Sequence, residues 1–132
     1  MNIYEKLYVA AKQARENAYA PYSDFKVGAA ILSDSGQIYS GCNVENASYP
    51  CGTCAEAGAV SAMVANGETH IREILIIADT NRILPCGNCL QKIAEFGDRE
   101  TIIYSADLHQ INQEYRLSDL LPQNFTLEKD HV

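Results

Sequence analysis

Two short stretches, "PCGTCAE" from Pro50 to Glu56 and "PCGNC" from Pro85 to Cys89, constrain this chain more than any other part of it. Each holds a Cys-x-x-Cys pair and runs into a segment of helical periodicity, "AEAGAVSAMVAN" after the first and "LQKIAEF" after the second. A helix start presents backbone N–H groups without intrahelical acceptors and the positive end of the helix dipole, and both favour the thiolate that a metal requires. A fold that uses both stretches together must therefore set two helix N-termini side by side.

The cysteine count supports metal over disulfides. Five cysteines are an odd number, and four of them fall in the two pairs. The N-terminus "MNIYEKLYVAAKQARENAY" carries charges throughout and no continuous apolar region, so it reads as neither a signal peptide nor a membrane span. The expectation is a cytoplasmic protein, where thiols stay reduced and such pairs bind metal.

The rest of the chain supplies the frame. Ile3, Leu7, Ala10, Ala11, Ala14 and Ala18 recur at helical spacing and predict a first amphipathic helix over 3–18. "APYSDF" breaks it, and "KVGAAIL" and "IYSGCNV" flank the turn "SDSGQ" as a hairpin whose exit forms the rim "NVEN". A second helix from Thr53 or Cys54 should stop at Gly67, where glycine suits a left-handed cap. "EILIIA" reads as a strand covered on both faces, a third helix runs from "CGNC" to Gly97, and "TIIYSA" is another strand. In the tail, a short strand near Tyr115 and a helical turn at "SDLL" are expected. At 132 residues this is one domain, 1–132, of class α/β: three layers, α/β/α, around a mixed sheet of about five strands, because right-handed crossovers set helices on both sheet faces.

Three readings of the cysteines remain open on spacing alone. Four thiolates could close a structural cage, although the 31 residues between Cys54 and Cys86 exceed the ~15–20 of a common zinc ribbon. A catalytic site would use three protein ligands and leave a fourth position to water, with Glu56 two residues past Cys54 placed to handle protons. Thr53 and Glu56 also fit a capping box, in which each merely satisfies the other's backbone donor. The formal charge of −7 argues against a nucleic-acid partner, which needs a basic face.

With these residues in order, the sequence resembles the cytidine deaminases of the small homotetrameric kind. "APYS", "FKVGAAIL", "GCNVENASYP", "CAE", "PCGNC" and "DLLPQNF" carry the likeness over roughly residues 19–125. The resemblance implies one Zn²⁺ per chain on Cys54, Cys86 and Cys89, with Glu56 as proton carrier in the hydrolysis of cytidine and deoxycytidine to uridine, deoxyuridine and ammonia. It further implies substrate contacts at Phe25 over the base, at Asn43 and Glu45 on the ribose, and at the Ala55 backbone. Ala47, Tyr49 and Phe125 would complete a neighbouring subunit's pocket in a tetramer with shared active sites. The expected partner is thus a small nucleoside, with neither nucleic acid nor membrane, in pyrimidine salvage. Two alternatives stand beside it: deamination of a cytosine-nucleoside antibiotic of the blasticidin S type, and a non-catalytic zinc module closed by four cysteines.

One departure is plain. Similar enzymes carry an arginine after the catalytic Glu and another after the last zinc cysteine, where this chain has Ala57 and Leu90. Three thiolates outweigh the two charges of Zn²⁺, so something else must offset the excess; the helix N-termini, aided by Asn88 or Arg82, are the expectation. Cys42 reads as a buried, unreactive thiol, Cys51 as a loop thiol, and His70, His109 and His131 as surface residues.

Overall fold

Leu7 and Ala11, one turn apart, are the fully buried positions of the first helix, and Asn2 starts it by accepting the Glu5 N–H on its side chain at 3.1 Å. The computed structural model describes residues 1–127, which leaves His131 outside the described residues. Its elements are α1 (Ile3–Glu16), β1 (Val27–Ser33), β2 (Ile38–Cys42), α2 (Ala55–Ala65), β3 (Ile71–Ala78), α3 (Gly87–Phe96), β4 (Ile102–Ala106), β5 (Ile111–Arg116) and α4 (Leu117–Leu120), with a single 3₁₀ turn at Tyr49–Cys51. Helix α1 ends before Ala18, because Asn17 and Ala18 turn back onto the Ala14 and Arg15 carbonyls.

The five strands form one sheet in the order β2-β1-β3-β4-β5, with β3 and β4 parallel and the other neighbours antiparallel. The expected mixed sheet is therefore present. The tail resolves into more structure than its pattern announced, a six-residue edge strand β5 followed by the turn of α4.

Strand β3 explains the layering. Ile74 through Ala78 are all buried, and alternate side chains point to opposite faces. Leu75 and Ile77 pack with Leu7 and Ala11 under α1, while Ile74 and Ile76 pack with Ala59, Met63 and Ile93 under α2 and α3. Both cysteine-bearing helices thus lie on the same sheet face, with α1 alone on the other.

Gly41 on β2 sets how closely α2 can approach. A methyl group built there would meet the Ala59 nitrogen at 2.4 Å and the Ala55 carbonyl oxygen at 2.6 Å, both backbone atoms that have no rotamer to yield. Gly41→Ala should lower stability by about 1–3 kcal/mol, the range for overpacking, and displace the first turn of α2. Urea unfolding measures the former, and reduced zinc content of the folded variant the latter.

Candidate active site

Cys54 is the N-cap residue of α2 and Cys86 that of α3, and neither makes a side-chain capping bond. Thr53 exchanges both backbone hydrogen bonds with Val44, at 2.8 Å each, so it belongs to an isolated bridge and not to the helix. The capping-box reading is corrected by this arrangement: the cap is one residue later, and the Glu56 carboxyl is not committed to Thr53. Glu56 is instead only 5% exposed, a buried acid in the first turn of α2.

The Cys54 and Cys89 sulfurs and a Glu56 carboxylate oxygen all lie within 4.8 Å of one another, and the two sulfurs are 2.6 Å apart. Cys89 is buried in the first turn of α3. Cys86 is exposed at the cap of that helix and lies outside this close group, as does Cys51, exposed in the 3₁₀ turn. Two soft sulfurs and a carboxylate at adjoining helix starts suit zinc, which takes Cys, His and carboxylate ligands.

The charges of these groups are interlocked. The Cys54 and Cys89 sulfurs share one hydrogen bond, and this, the Ala57 backbone N–H and the Lys92 ammonium together hold the Cys54 thiol down to about 6. The same bond, then burial, then the Glu56 charge push Cys89 upward, so the pair shares one proton and Cys54 is the sulfur that ionises. Burial lifts Glu56 to about 7, with the Cys54 thiolate adding to the effect and the Lys92 ammonium opposing it. A carboxyl in that range can both take and give a proton near neutral pH.

A cleft of about 420 Å³ is lined by Tyr22, Ser23, Val44, Glu45, Asn46, Tyr49, Gly52 and Thr53, the last of these next to Cys54 in sequence. Glu45 is fastened at its wall, with one carboxylate oxygen accepting the Tyr22 and Ser23 N–H groups at 2.9 and 3.1 Å and the other accepting the Ser23 hydroxyl. These bonds, the hydroxyl's first, keep its carboxyl below the usual range, so it is an acceptor at neutral pH. Asn43 binds the chain on both sides, accepting the Val27 N–H and donating to the Phe25 carbonyl, each at 2.9 Å. One amide hydrogen and one lone pair are then left for anything else. Phe25 is 38% exposed, Ala55 is buried as the first residue of α2, and Ala47, Tyr49 and Phe125 stand exposed.

Three residues act here that the sequence pattern did not single out. Ser23 links two expected contacts, since its hydroxyl donates to Glu45 and accepts the Phe25 N–H at 3.0 Å. Gln91 grips the Phe125 backbone from both ends of its amide, donating to the carbonyl at 2.9 Å and accepting the N–H at 3.4 Å. Lys92 binds the Asn88 side-chain oxygen one turn back on α3. The first two join residues far apart in sequence and left no local signal, but Lys92 lies three residues past Cys89, a spacing that places both on one helix face. Cys42, expected to be buried mid-strand, is the last residue of edge strand β2 and is half-buried. His109 is exposed as expected, whereas His70 is half-buried with its carbonyl accepting the Asp34 N–H.

The whole chain resembles known proteins. The family model described as "Cytidine and deoxycytidylate deaminase zinc-binding region" matches residues 1–105. A cytidine deaminase of Sporosarcina psychrophila is 42% identical over 125 residues, 94% of this chain and 92% of that protein. One of Halalkalibacterium halodurans is 43% identical over 125 residues, 94% and 95% of the respective chains. Among solved structures, the cytidine deaminase of Burkholderia pseudomallei superposes with a TM-score of 0.87 at 40% identity, covering 95% of this chain and all of that one.

Proposed function

Because this chain belongs to the cytidine and deoxycytidylate deaminase family, whose zinc-binding region spans its residues 1–105, we propose that it hydrolyses cytidine and deoxycytidine to uridine, deoxyuridine and ammonia. The observation that carries this is the buried Glu56 carboxyl, held beside the Cys54 and Cys89 sulfurs where two helices begin.

Cys54, Cys86 and Cys89 would hold the zinc ion. When bound, Zn²⁺ supplies a Lewis acid that lowers the pKa of water enough to yield a nucleophile at neutral pH. Glu56 receives the proton from the attacking water and passes it to N3 of the pyrimidine. The new C4–O bond then forms as the ring is neutralised at N3. In the second half, Glu56 takes the proton of the added hydroxyl and delivers it to the amino group; the C4–N bond breaks, ammonia departs, and the C4 carbonyl of uridine remains. Burial raises the Glu56 pKa toward neutrality, which keeps both directions of transfer accessible.

The surrounding residues orient the nucleoside. Ala55 offers a backbone N–H to the ring, Phe25 covers the base, and the fixed Glu45 carboxylate with the remaining Asn43 amide hydrogen and lone pair meets the ribose hydroxyls. Hydroxyl partners are neutral and directional, in keeping with a free nucleoside in place of a phosphorylated one. Tyr49 and Phe125 are 77% and 70% exposed, which supports a homotetramer in which they and Ala47 complete a neighbour's pocket. Among the described residues no helix is long and apolar enough to cross a membrane, in keeping with a cytoplasmic enzyme of pyrimidine salvage.

Purified zinc-loaded protein should convert cytidine to uridine with one ammonia released per turn, followed by the ultraviolet difference between the two nucleosides. Turnover of a blasticidin S-type antibiotic in place of cytidine would reassign the substrate, and turnover of neither would leave a zinc module without catalysis.

A further inference from the structure

A centre built from cysteine thiolates and a carboxylate accumulates negative charge in a buried place, and the fold must offset it locally. Backbone N–H groups of the α2 start contribute, but they carry only partial charges. The two positions flanking the site in sequence contribute none. Leu90 is buried and packs into the core with Ile93 and Ile103, and Ala57 is a half-buried methyl.

The small side chain at Ala57 leaves an opening. A crevice of about 370 Å³ runs between α2 and α3, bounded by Ala57, Val60 and Ser61 on one helix and Asn88, Gln91 and Lys92 on the other. Lys92 is half-buried at its wall, and its ammonium is drawn back one turn to the Asn88 side-chain oxygen, toward the end of α3 that carries Cys86 and Cys89. The residue across the crevice, Ala57, donates its backbone N–H to Cys54.

We propose that Lys92, drawn toward the start of α3 by Asn88 and facing Ala57 across the α2–α3 crevice, is the positioning cation that offsets the thiolate charge of the zinc centre. The proposal rests on the reading of that centre given above. Asn88, expected to aid the compensation, does so by holding Lys92. Arg82 is exposed in the segment before α3. The acidic groups facing the crevice and centre are Glu56 on α2 and Glu95 on α3, with Cys54, Cys86 and Cys89 as the thiols.

Lys92→Met removes the charge and keeps the stem, Lys92→Arg keeps the charge, and Lys92→Gln is a second neutral variant should Met fail to fold. Zinc retention against a chelator, read by metal content, and the pH profile of kcat/KM are measured on the folded proteins. The neutral variants should lose zinc at about 10-fold lower chelator, with the acid limb of the profile displaced to higher pH, and Lys92→Arg should restore both. Zinc retention and profile unchanged in a neutral variant overturn the proposal, as does an arginine variant that folds yet restores neither. Absence of cytidine turnover in the parent would instead sink the reading of the function, while the zinc measurement would still decide the role of Lys92.

Discussion

Glu56→Gln should lower kcat for cytidine by about 10² to 10⁴-fold, the contribution of a positioned general acid–base, while the protein keeps its zinc. The amide preserves shape and burial and removes only the capacity to carry a proton. Zinc content decides between the two roles that the geometry allows Glu56, since its carboxylate lies as close to the sulfurs as a ligand would. A variant that loses metal marks Glu56 as a ligand, and one that retains both metal and turnover ends the catalytic reading. The same substitution has a signature without metal. In the metal-free chain burial raises the Glu56 pKa from 4.5 to about 7, so the folded state holds this proton more tightly than the unfolded chain does. The unfolded state therefore releases it first as pH rises, and the metal-free fold loses stability between about pH 4.5 and 7, by up to roughly 3 kcal/mol. Metal-free Glu56→Gln should lack that decline in urea titrations taken across the window.

Cys54→Ala, Cys86→Ala and Cys89→Ala should each abolish stoichiometric zinc and reduce turnover by more than the ~100-fold that loss of a supporting partner costs. Loss of bound metal also lowers the melting temperature, because a ligand held by the native state alone stabilises that state. Cys51→Ser should leave zinc, turnover and melting unchanged, since this thiol is exposed in the 3₁₀ turn and outside the close group. The Cys86 variant carries the most information of the four. Its sulfur is exposed at the α3 cap, and retention of zinc there would show a centre completed by Glu56 in place of a third sulfur.

Much of this architecture was legible because its signals are local. The β3 run of buried residues, the α1 stripe through Leu7 and Ala11, and a left-handed stop at Gly67 with φ 85° each depend on neighbours a few residues away. The tail was harder to read. Strand β5 is an edge strand with much of its surface in solvent, so "INQEYR" shows no apolar alternation, and its pairing with β4 is what makes it a strand. The start of α2 stayed open between Thr53 and Cys54 for a related reason: Thr53 looks like a cap by composition, and only its bridge to Val44, nine residues earlier, leaves Cys54 as the N-cap.

The residue types and their spacing by themselves determined the kind of chemistry, thiolates paired at helix starts with an acid two residues beyond Cys54. Those properties follow from short-range backbone geometry, which any segment of the chain carries with it. Tertiary structure alone decided what each group does there. Packing of α2 and α3 on one sheet face buries Glu56 and so raises its pKa, and draws Cys54 and Cys89 into contact. Desolvation and Coulomb interaction depend on distance through space, and that distance exists only once the sheet has brought residues 54 and 89 together.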